Sequence, residues 1–186
     1  FQIPIQLFDD LITAFRTDAS NPDYQEFDEV LEYCKFSADP IGRILLLIFD
    51  CSTNETNRLS DSICTALQLT NFWQDISVDT SRNRIYIPKS DLHTFNLQES
   101  DLSSTVNEKA FRELMRVQIG RTRTLFETGK PLCSLVNKHF RFELTMIWNG
   151  GMRILEKIEL QNFETRNKRP VLTVFDKMII AARSLV

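Results

Sequence analysis

Apolar side chains recur every three or four residues along most of the chain, which is the period of an amphipathic helix. Near the start, Leu7, Leu11 and Phe15 fall on one stripe. The same spacing predicts helices over residues 6–15, 26–35, 59–80, 107–128, 140–163 and 170–185. Two polar stretches are predicted to be loops, residues 17–24 and 52–58.

A further segment, residues 41–51, is apolar on nearly every face and is predicted to be a buried helix. Asp39 and Pro40 precede it as an N-cap and as a proline at the first helical position. Residues 81–88 are expected to form a loop, in which Ile85-Tyr86-Ile87 is the one strand-like fragment. Because no repeat or linker divides the chain, the pattern predicts one all-α domain over residues 1–186.

The most informative polar pattern lies in the predicted helix over residues 59–80. Asn71, Asp75 and Asp79 stand four residues apart, and each step of that length turns a helix by about 400°. Their oxygen-bearing side chains would therefore line one narrow face. Such oxygen ligands suit Mg²⁺, which keeps several waters that a phosphate can replace. Side chains able to hold that phosphate follow directly, namely Arg82, Arg84 and Tyr86.

Spacing alone leaves an ordinary alternative open. Three polar side chains on one helix face are more often a solvated surface than a metal site, and short motifs match by chance. The arginines that follow are equally typical of an exposed surface. The pattern thus indicates diphosphate chemistry only together with further support.

Composition limits the function classes. The 22 Lys and Arg against 25 Asp and Glu give a formal charge of −3, which argues against nucleic acid as a partner. The 14 phenylalanines indicate a large apolar interior. The longest apolar stretch, residues 44–49, is too short to span a bilayer. The first residues do not resemble a signal peptide, and because no methionine stands there we expect the chain to begin inside a longer protein.

The four cysteines show no CxxC spacing, and the two histidines lie far apart in the sequence. A zinc site is therefore not expected, and the chain is long enough to fold without disulfides. We expect reduced thiols in a cytoplasmic protein. These residues are Cys34, Cys51, Cys64 and Cys133, with His93 and His139.

Several segments carry a resemblance to a known family. They are Tyr33 to Arg43, Ala66 to Asp79, Arg84 to Pro88, Gly150 to Ile158 and Arg169 to Leu172. On them the chain resembles the squalene/phytoene synthase family, and the similarity covers essentially the whole chain. Within that family it is most similar to the bacterial hydroxysqualene synthases of the hopanoid pathway. Residues 3–16 fit that subgroup, as does Ser37-Ala38-Asp39 where synthases of the first condensation usually carry Val-Ala-Gly.

The resemblance implies an all-α bundle around a deep apolar cavity, with two aspartate-rich motifs that hold Mg²⁺ against the substrate diphosphate. The second motif matches Asn71, Asp75 and Asp79, with Gln68 one turn earlier. Nothing upstream matches the first motif, since Asp9 and Asp10 lack a further aspartate at helical spacing. We therefore expect the C-terminal part of the enzyme, without its N-terminal helices.

For the full enzyme the resemblance implies conversion of presqualene diphosphate to hydroxysqualene, by Mg²⁺-assisted loss of diphosphate and capture of water. The implied catalytic residues are Asn71, Asp75, Asp79 and Tyr33, of which the first three would hold the metal. The implied substrate-binding residues are Gln68, Arg43, Phe72, Arg84 and Tyr86. Three phenylalanines, Phe36, Phe72 and Phe142, are expected to line the apolar pocket and offer their faces to a cation.

Each role has a structural alternative. Gln68 could cap a neighbouring helix, Tyr33 could simply pack in the core, and Arg43 could serve an ion pair. The function also has alternatives: a squalene or phytoene synthase acting on farnesyl or geranylgeranyl diphosphate, or a catalytically incomplete helical fragment. Such a fragment would expose apolar surface and self-associate. The last predicted helix has an apolar stripe that could touch the inner membrane peripherally or pack onto the bundle.

Overall fold

The computed structural model describes residues 2–185, in which helices follow one another with short connections. No strand occurs among these residues, Ile85-Tyr86-Ile87 included, so the prediction of an all-α fold is confirmed. A short 3₁₀ helix, Glu99–Ser103, follows α6. The α-helices are α1 (Gln6–Ser20), α2 (Phe27–Ser37), α3 (Asp39–Ile48), α4 (Asn54–Gln74), α5 (Ile76–Thr80), α6 (Lys89–Thr94), α7 (Glu108–Gly129), α8 (Leu132–Leu135), α9 (Lys138–Leu160) and α10 (Val174–Arg183).

Helix α4 lies at the centre of the bundle, packed most extensively against α7 and next against α3. Its inward side chains include Ile63, Leu69 and Trp73, which are buried. The Trp73 indole N–H donates to the Thr122 hydroxyl at 2.8 Å and so fixes α4 to α7 by a buried polar contact. The helix that carries the predicted site is therefore held rigidly from both sides.

Two glycines allow other helices to approach α4 closely. A Cβ atom at Gly42 of α3 would overlap Ser60 and Cys64 of α4. A Cβ atom at Gly151 of α9 would overlap the Leu67 side chain of α4 and also the Phe126 ring of α7. Small residues are needed at both positions because close-packed interiors have no room for an extra methyl group.

The start of α4 differs from the prediction. Residues 52–58 were expected to be a loop, but the helix begins at Asn54. Thr53 is its N-cap: the Thr56 N–H donates to the Thr53 hydroxyl at 3.1 Å, and the Thr53 N–H donates to the Thr56 hydroxyl at 2.8 Å. This reciprocal capping compensates for the polar composition of the first turn. Helix α1 likewise extends to Ser20, beyond the predicted end.

Helix α3 is less buried than its composition predicts. Leu46 is fully buried, but Ile41 and Ile48 are 47% and 38% exposed. Asp39 belongs to the helix itself, and the N-cap position falls on Ala38. The prediction of a buried helix is therefore correct for one face only, because α1, α2 and α4 cover only part of the surface of α3.

The long helix predicted over residues 59–80 is interrupted. Helix α4 ends at Gln74, Asp75 takes a non-helical conformation with φ −102° and ψ 11°, and α5 begins at Ile76. The interruption occurs where α4 meets the segment before α10, since the Gln74 amide donates to the Pro170 carbonyl oxygen. The prediction of one uninterrupted helix is wrong at this residue.

Candidate active site

Asn71, Asp75 and Asp79, called the aspartate row below, remain in register across the interruption. The Asp75 N–H donates to the Asn71 carbonyl oxygen at 2.9 Å, and the Asp79 N–H donates to the Asp75 carbonyl oxygen at 2.8 Å. These are the hydrogen bonds of successive helical turns. The three side chains are therefore one turn apart, as the four-residue spacing predicts. Asn71 is exposed, and the two aspartates are partly exposed.

The Asp75 carboxylate is paired with Arg169, which lies between α9 and α10. The guanidinium donates through Nε to Oδ1 and through Nη2 to Oδ2, the latter at 3.3 Å. Arg169 was not among the predicted site residues, although it opens one of the segments that carry the family resemblance. Local spacing gives no signal for this contact, because the two residues are 94 positions apart.

The surroundings of Asp79 disfavour the ionised form of its carboxyl group. Burial raises the pKa of its carboxyl group, and the nearby Asp75 raises it further, while Arg84 and Arg82 act in the opposite direction. A bound cation would favour the ionised form of both carboxylates and so oppose this shift. The raised pKa of Asp79 thus reflects burial first and repulsion from Asp75 second, and only the second cause would be relieved by a bound cation.

An aromatic cluster adjoins the aspartate row. Phe72 and Tyr86 are stacked with ring centroids 3.7 Å apart, and Tyr33 lies 6.0 Å from each of them. Tyr24, which sequence reasoning did not single out, also packs on Tyr33 and Tyr86 at 6.0 Å. The structure thus brings together Tyr33, Phe72 and Tyr86 from separate segments of the chain.

The phenols of this cluster are poor acids. Burial is the main cause that raises the pKa values of Tyr24 and Tyr33 above the ordinary phenol range and that of Tyr86 to about 12. The Tyr33 hydroxyl donates to the Asp18 carboxylate at 2.8 Å, which further favours its protonated form. All three side chains are therefore neutral near pH 7.

Two clefts border the aspartate row. An open cleft of about 340 Å³ lies between α4 and α9, and Asn71, Gln74, Gly150 and Arg169 are among its lining residues. A tight cleft of only about 10 Å³ is lined by Phe72, Tyr86, Asp79 and Arg84, and it has room for about one water molecule. A ligand in the open cleft would contact the row at Asn71.

The other predicted site residues are placed elsewhere or only near the row. Arg43 donates to Asp61 through two hydrogen bonds of 2.9 and 2.6 Å. It lines a separate cleft of about 500 Å³ together with Phe36. Phe142 is 41% exposed on α9, and Gln68 is half-buried one turn before Asn71. Arg43 therefore makes the ion pair that the sequence left as its alternative, and its role in substrate binding stays a prediction.

The donors of the aspartate row fit a hard divalent cation. They are two carboxylates and one amide oxygen, and Mg²⁺ prefers oxygen ligands while keeping several waters. In the described part of the chain no group of three or more His, Cys, Asp and Glu side chains is arranged to hold a metal. Besides the two carboxylates, a metal at the row would accordingly need the Asn71 amide oxygen and oxygens that this chain does not supply, such as those of a diphosphate.

Comparison with known proteins defines the class of this chain. The family model for squalene/phytoene synthase matches residues 1–176, and the chain belongs to that family. None of the helices between residues 2 and 185 has the length and hydropathy required to cross a membrane.

Individual relatives agree with this class. The chain is 33% identical to a hydroxysqualene synthase of Rhodopseudomonas palustris over 156 residues, which are 82% of this chain and 53% of that protein. It is 31% identical to a 15-cis-phytoene synthase of Synechocystis over 194 residues, which are 96% of this chain and 57% of that protein. The chain thus spans about half the length of these curated relatives.

A solved structure shows the same fold. The squalene synthase HpnC from Alicyclobacillus acidocaldarius superposes with a TM-score of 0.82 and 36% sequence identity. The match covers 87% of this chain and 61% of that one. The helical bundle is therefore the isoprenoid synthase-type fold that the resemblance predicts.

Proposed function

We propose that this chain provides the diphosphate-binding side of an enzyme that converts presqualene diphosphate to hydroxysqualene. In this reaction the bond between carbon and the diphosphate oxygen breaks and leaves a cyclopropylcarbinyl cation. The carbon–carbon bonds of the three-membered ring then rearrange and the ring opens as a bond to a water oxygen forms, and the water releases one proton. The observation that carries the proposal is the aspartate row beside a cluster of neutral aromatic rings. Two charges develop in the reaction: the aspartate row would bind the diphosphate anion, and the aromatic rings would stabilise the carbocation.

The leaving diphosphate would be held by the row and its arginines. Arg84 lies in the tight cleft beside Asp79, and Arg169 is already at Asp75, so both can donate to phosphate oxygens. Mg²⁺ held by Asn71, Asp75 and Asp79 would stabilise the negative charge of the leaving group. Arg169, which pairs with Asp75 in the structure, would be free to donate to the substrate diphosphate if a metal took over the Asp75 carboxylate.

The aromatic cluster would face the carbocation. Phe72 and Tyr86 line the tight cleft and Tyr33 packs against both rings, and aromatic faces attract cations. The cleft, of about 10 Å³, would have to widen to admit the carbocation. Because the pKa values of the phenols are raised, no phenolate is present near pH 7 to capture the cation in place of water. The rings therefore stabilise positive charge without reacting with it.

The relatives also support a second activity, that of a squalene or phytoene synthase, called the sister activity below. The identity to a 15-cis-phytoene synthase is close to the identity to a hydroxysqualene synthase. Squalene and phytoene synthases would use farnesyl or geranylgeranyl diphosphate, and the groups that bind the diphosphate would be the same. Only product analysis with each diphosphate distinguishes these activities.

A non-catalytic role has its own structural support. Large apolar side chains are exposed on α1, α3 and α10, as expected of a helical fragment that lacks partners. Self-association that rises with concentration, together with no turnover, would support this alternative.

The test is incubation of the chain with presqualene diphosphate and Mg²⁺, followed by mass analysis of the extracted lipids. Parallel reactions contain farnesyl diphosphate with NADPH as the hydride donor that squalene formation needs, or geranylgeranyl diphosphate, and the Asp75→Ala variant serves as the control. Hydroxysqualene from the parent chain but not from Asp75→Ala supports the proposal. Squalene or phytoene would assign the sister activity, and absence of any product with all three diphosphates would leave the non-catalytic role.

A further inference from the structure

The segment between α9 and α10, residues 161–173, carries Arg169 to the aspartate row without a helix of its own. Within residues 2–185, the backbone of residues 165–172 forms no hydrogen bond to another backbone group. Secondary structure therefore does not fix the position of Arg169. Ordering such a backbone costs about 1–2 kcal/mol of conformational entropy per residue, which contacts of the side chains have to offset.

Arg166 anchors this segment in the core, and its side chain is only 1% exposed. Nη1 donates to the carbonyl oxygens of Asp101 and Val106, both at 3.0 Å. Nε and Nη2 donate to the Glu164 carboxylate at 2.9 and 2.6 Å. The guanidinium also lies over the buried Phe111 ring of α7, 4.1 Å from the ring centroid. Arg166 thus ties the segment to the 3₁₀ helix and to the start of α7.

A second fixed point lies on the other side of Arg169. The amide of Gln74, a buried residue at the end of α4, donates to the Pro170 carbonyl oxygen. Gln74 directly precedes Asp75, and Arg169 directly precedes Pro170. Arg169 is therefore held between two anchors, with Arg166 three residues before it and Pro170 next to it.

We infer that Arg166 is a positioning residue, which holds Arg169 against the Asp75 carboxylate. Arg166 lines neither cleft beside the aspartate row, so it acts on the row only through Arg169. Its planar guanidinium reaches two carbonyl oxygens and a carboxylate at once, which the single ammonium of a lysine cannot reproduce. A site residue whose support is fixed in this way needs no reordering when it binds a ligand.

The alternative is that Arg166 only stabilises the fold, as a buried and fully paired arginine also would. The two accounts differ in one respect. Only a positioning role makes the contact between Arg169 and Asp75 depend on Arg166. The further step, that Arg169 then binds a substrate diphosphate, rests on the proposed function.

The first test follows the Nε–H signal of Arg169 by nuclear magnetic resonance in the ligand-free chain, assigned by its loss in Arg169→Gln. In the parent this N–H donates to Asp75 and should be protected from exchange with water. The signal should broaden or disappear in Arg166→Lys, as it should in Asp75→Ala. An unchanged signal in Arg166→Lys would overturn the inference.

Arg121→Lys is the matched control. Arg121 also donates twice to a carboxylate, that of Asp91, and lies over a phenylalanine ring at 4.5 Å. Its hydrogen-bond partners lie outside residues 161–173. The variant should keep the Arg169 signal, and equal losses in Arg121→Lys and Arg166→Lys would show a general loosening of the fold and contradict a positioning role.

The second test is a double-mutant cycle, in which calorimetry measures binding of inorganic diphosphate in the presence of Mg²⁺. Arg166→Lys should weaken binding about threefold, and less than Arg169→Gln does, because Arg169 is displaced and not removed. In the Arg169→Gln background the lysine change should have no further effect, since its route to the row is gone. Independent, multiplying losses would mean that Arg166 does not act through Arg169.

Glu164→Gln decides the question if Arg166→Lys does not fold. It keeps the two carbonyl contacts of Arg166 and weakens only the pair with the carboxylate, so a smaller change of the Arg169 signal is expected, and no change would overturn the inference. A parent chain that does not bind diphosphate would contradict the proposed function. The Arg169 signal, measured without ligand, would still decide whether Arg166 positions that residue.

Discussion

Two parts of the bundle contain similar charged groups but have different roles. One is the aspartate row; the other is a group on α3 and α4 called the Asp39 cluster, formed by Asp39, Arg43, Asp61 and Thr65. In each, an arginine pairs with one aspartate, Arg169 with Asp75 and Arg43 with Asp61. In each, a second aspartate has a raised pKa, Asp79 in the row and Asp39 in the cluster.

The difference lies in how the second aspartate is held. Asp39 is 5% exposed and accepts a hydrogen bond from the Thr65 hydroxyl at 3.0 Å. Burial, followed by the charge of Asp61, raises its pKa to about 7. Both carboxyl groups border clefts, but Asp79 is only partly buried, whereas Asp39 is nearly enclosed at the edge of the cleft of about 500 Å³. The carboxylate with more exposed surface can reach a ligand directly, whereas the nearly enclosed one is held by its protein partners.

The largest effect is expected when the arginine-paired aspartate of each group is replaced by alanine and the two variants are compared. Asp75→Ala should weaken binding of inorganic diphosphate in the presence of Mg²⁺ about 10- to 100-fold, because a metal-binding carboxylate is lost. Asp61→Ala is the matched variant and should leave this binding intact. It should lower the free energy of unfolding by about 1 kcal/mol, since Arg43 loses its partner. Calorimetric titration and urea unfolding measure the two quantities, and equal loss of binding in both variants would contradict the comparison.

The second prediction concerns pH and the Asp39 cluster. The folded-state pKa of Asp39, about 7, lies above its unfolded value, so the folded chain holds a proton that the unfolded chain releases between about pH 4 and pH 7. Stability contributed by this proton is present at low pH and is lost as pH rises through 7. The free energy of unfolding of Asp39→Asn, relative to that of the parent, should therefore be higher at pH 8 than at pH 5. The difference between the two pH values should be on the order of a few kcal/mol.

Urea unfolding at several pH values measures this difference for Asp39→Asn. Thr65→Val, which removes the hydrogen-bond donor and keeps the carboxyl group, is the control and should retain a pH-dependent stability like that of the parent. A stability difference between Asp39→Asn and the parent that does not vary with pH would contradict burial as the source of the shift.

A smaller effect is expected from exchanging the arginines. Arg169→Gln should weaken diphosphate binding about fivefold, the order expected for one partly exposed charged contact. Arg43→Gln should not change it, because Arg43 lines a different cleft. The same calorimetric titration compares both variants. If Arg43→Gln were the more damaging change, the cleft beside the Asp39 cluster would be the anion-binding one.

The smallest effect should follow Asp79→Asn measured without metal. The raised pKa of Asp79 indicates that its ionised form is disfavoured in the fold, so the neutral amide should slightly raise the melting temperature at neutral pH. The gain should disappear in acid, where the parent carboxyl group is protonated. Added Mg²⁺ should stabilise the parent more than the variant, and a variant that is less stable than the parent at every pH would contradict this account.

Sequence reasoning located the helices and the row but not all of their boundaries. The three-and-four periodicity placed the helices that became α1, α2, α4, α7, α9 and α10, because burying one face of a helix dictates that pattern. It missed the first turn of α4, where the cap of Thr53 outweighs the polar composition. It also missed the interruption at Asp75, which lies where α4 contacts a segment distant in sequence.

For the candidate site, the sequence by itself determined the spacing of Asn71, Asp75 and Asp79 and the family to which the chain belongs. Both follow from the order of residues, since helical geometry converts spacing into a shared face. Only the tertiary structure decided that Arg169 pairs with Asp75, that Arg43 is held by Asp61, and which apolar side chains remain exposed. These outcomes depend on which helices pack together, and contacts between residues far apart in the chain are fixed by packing and not by local pattern.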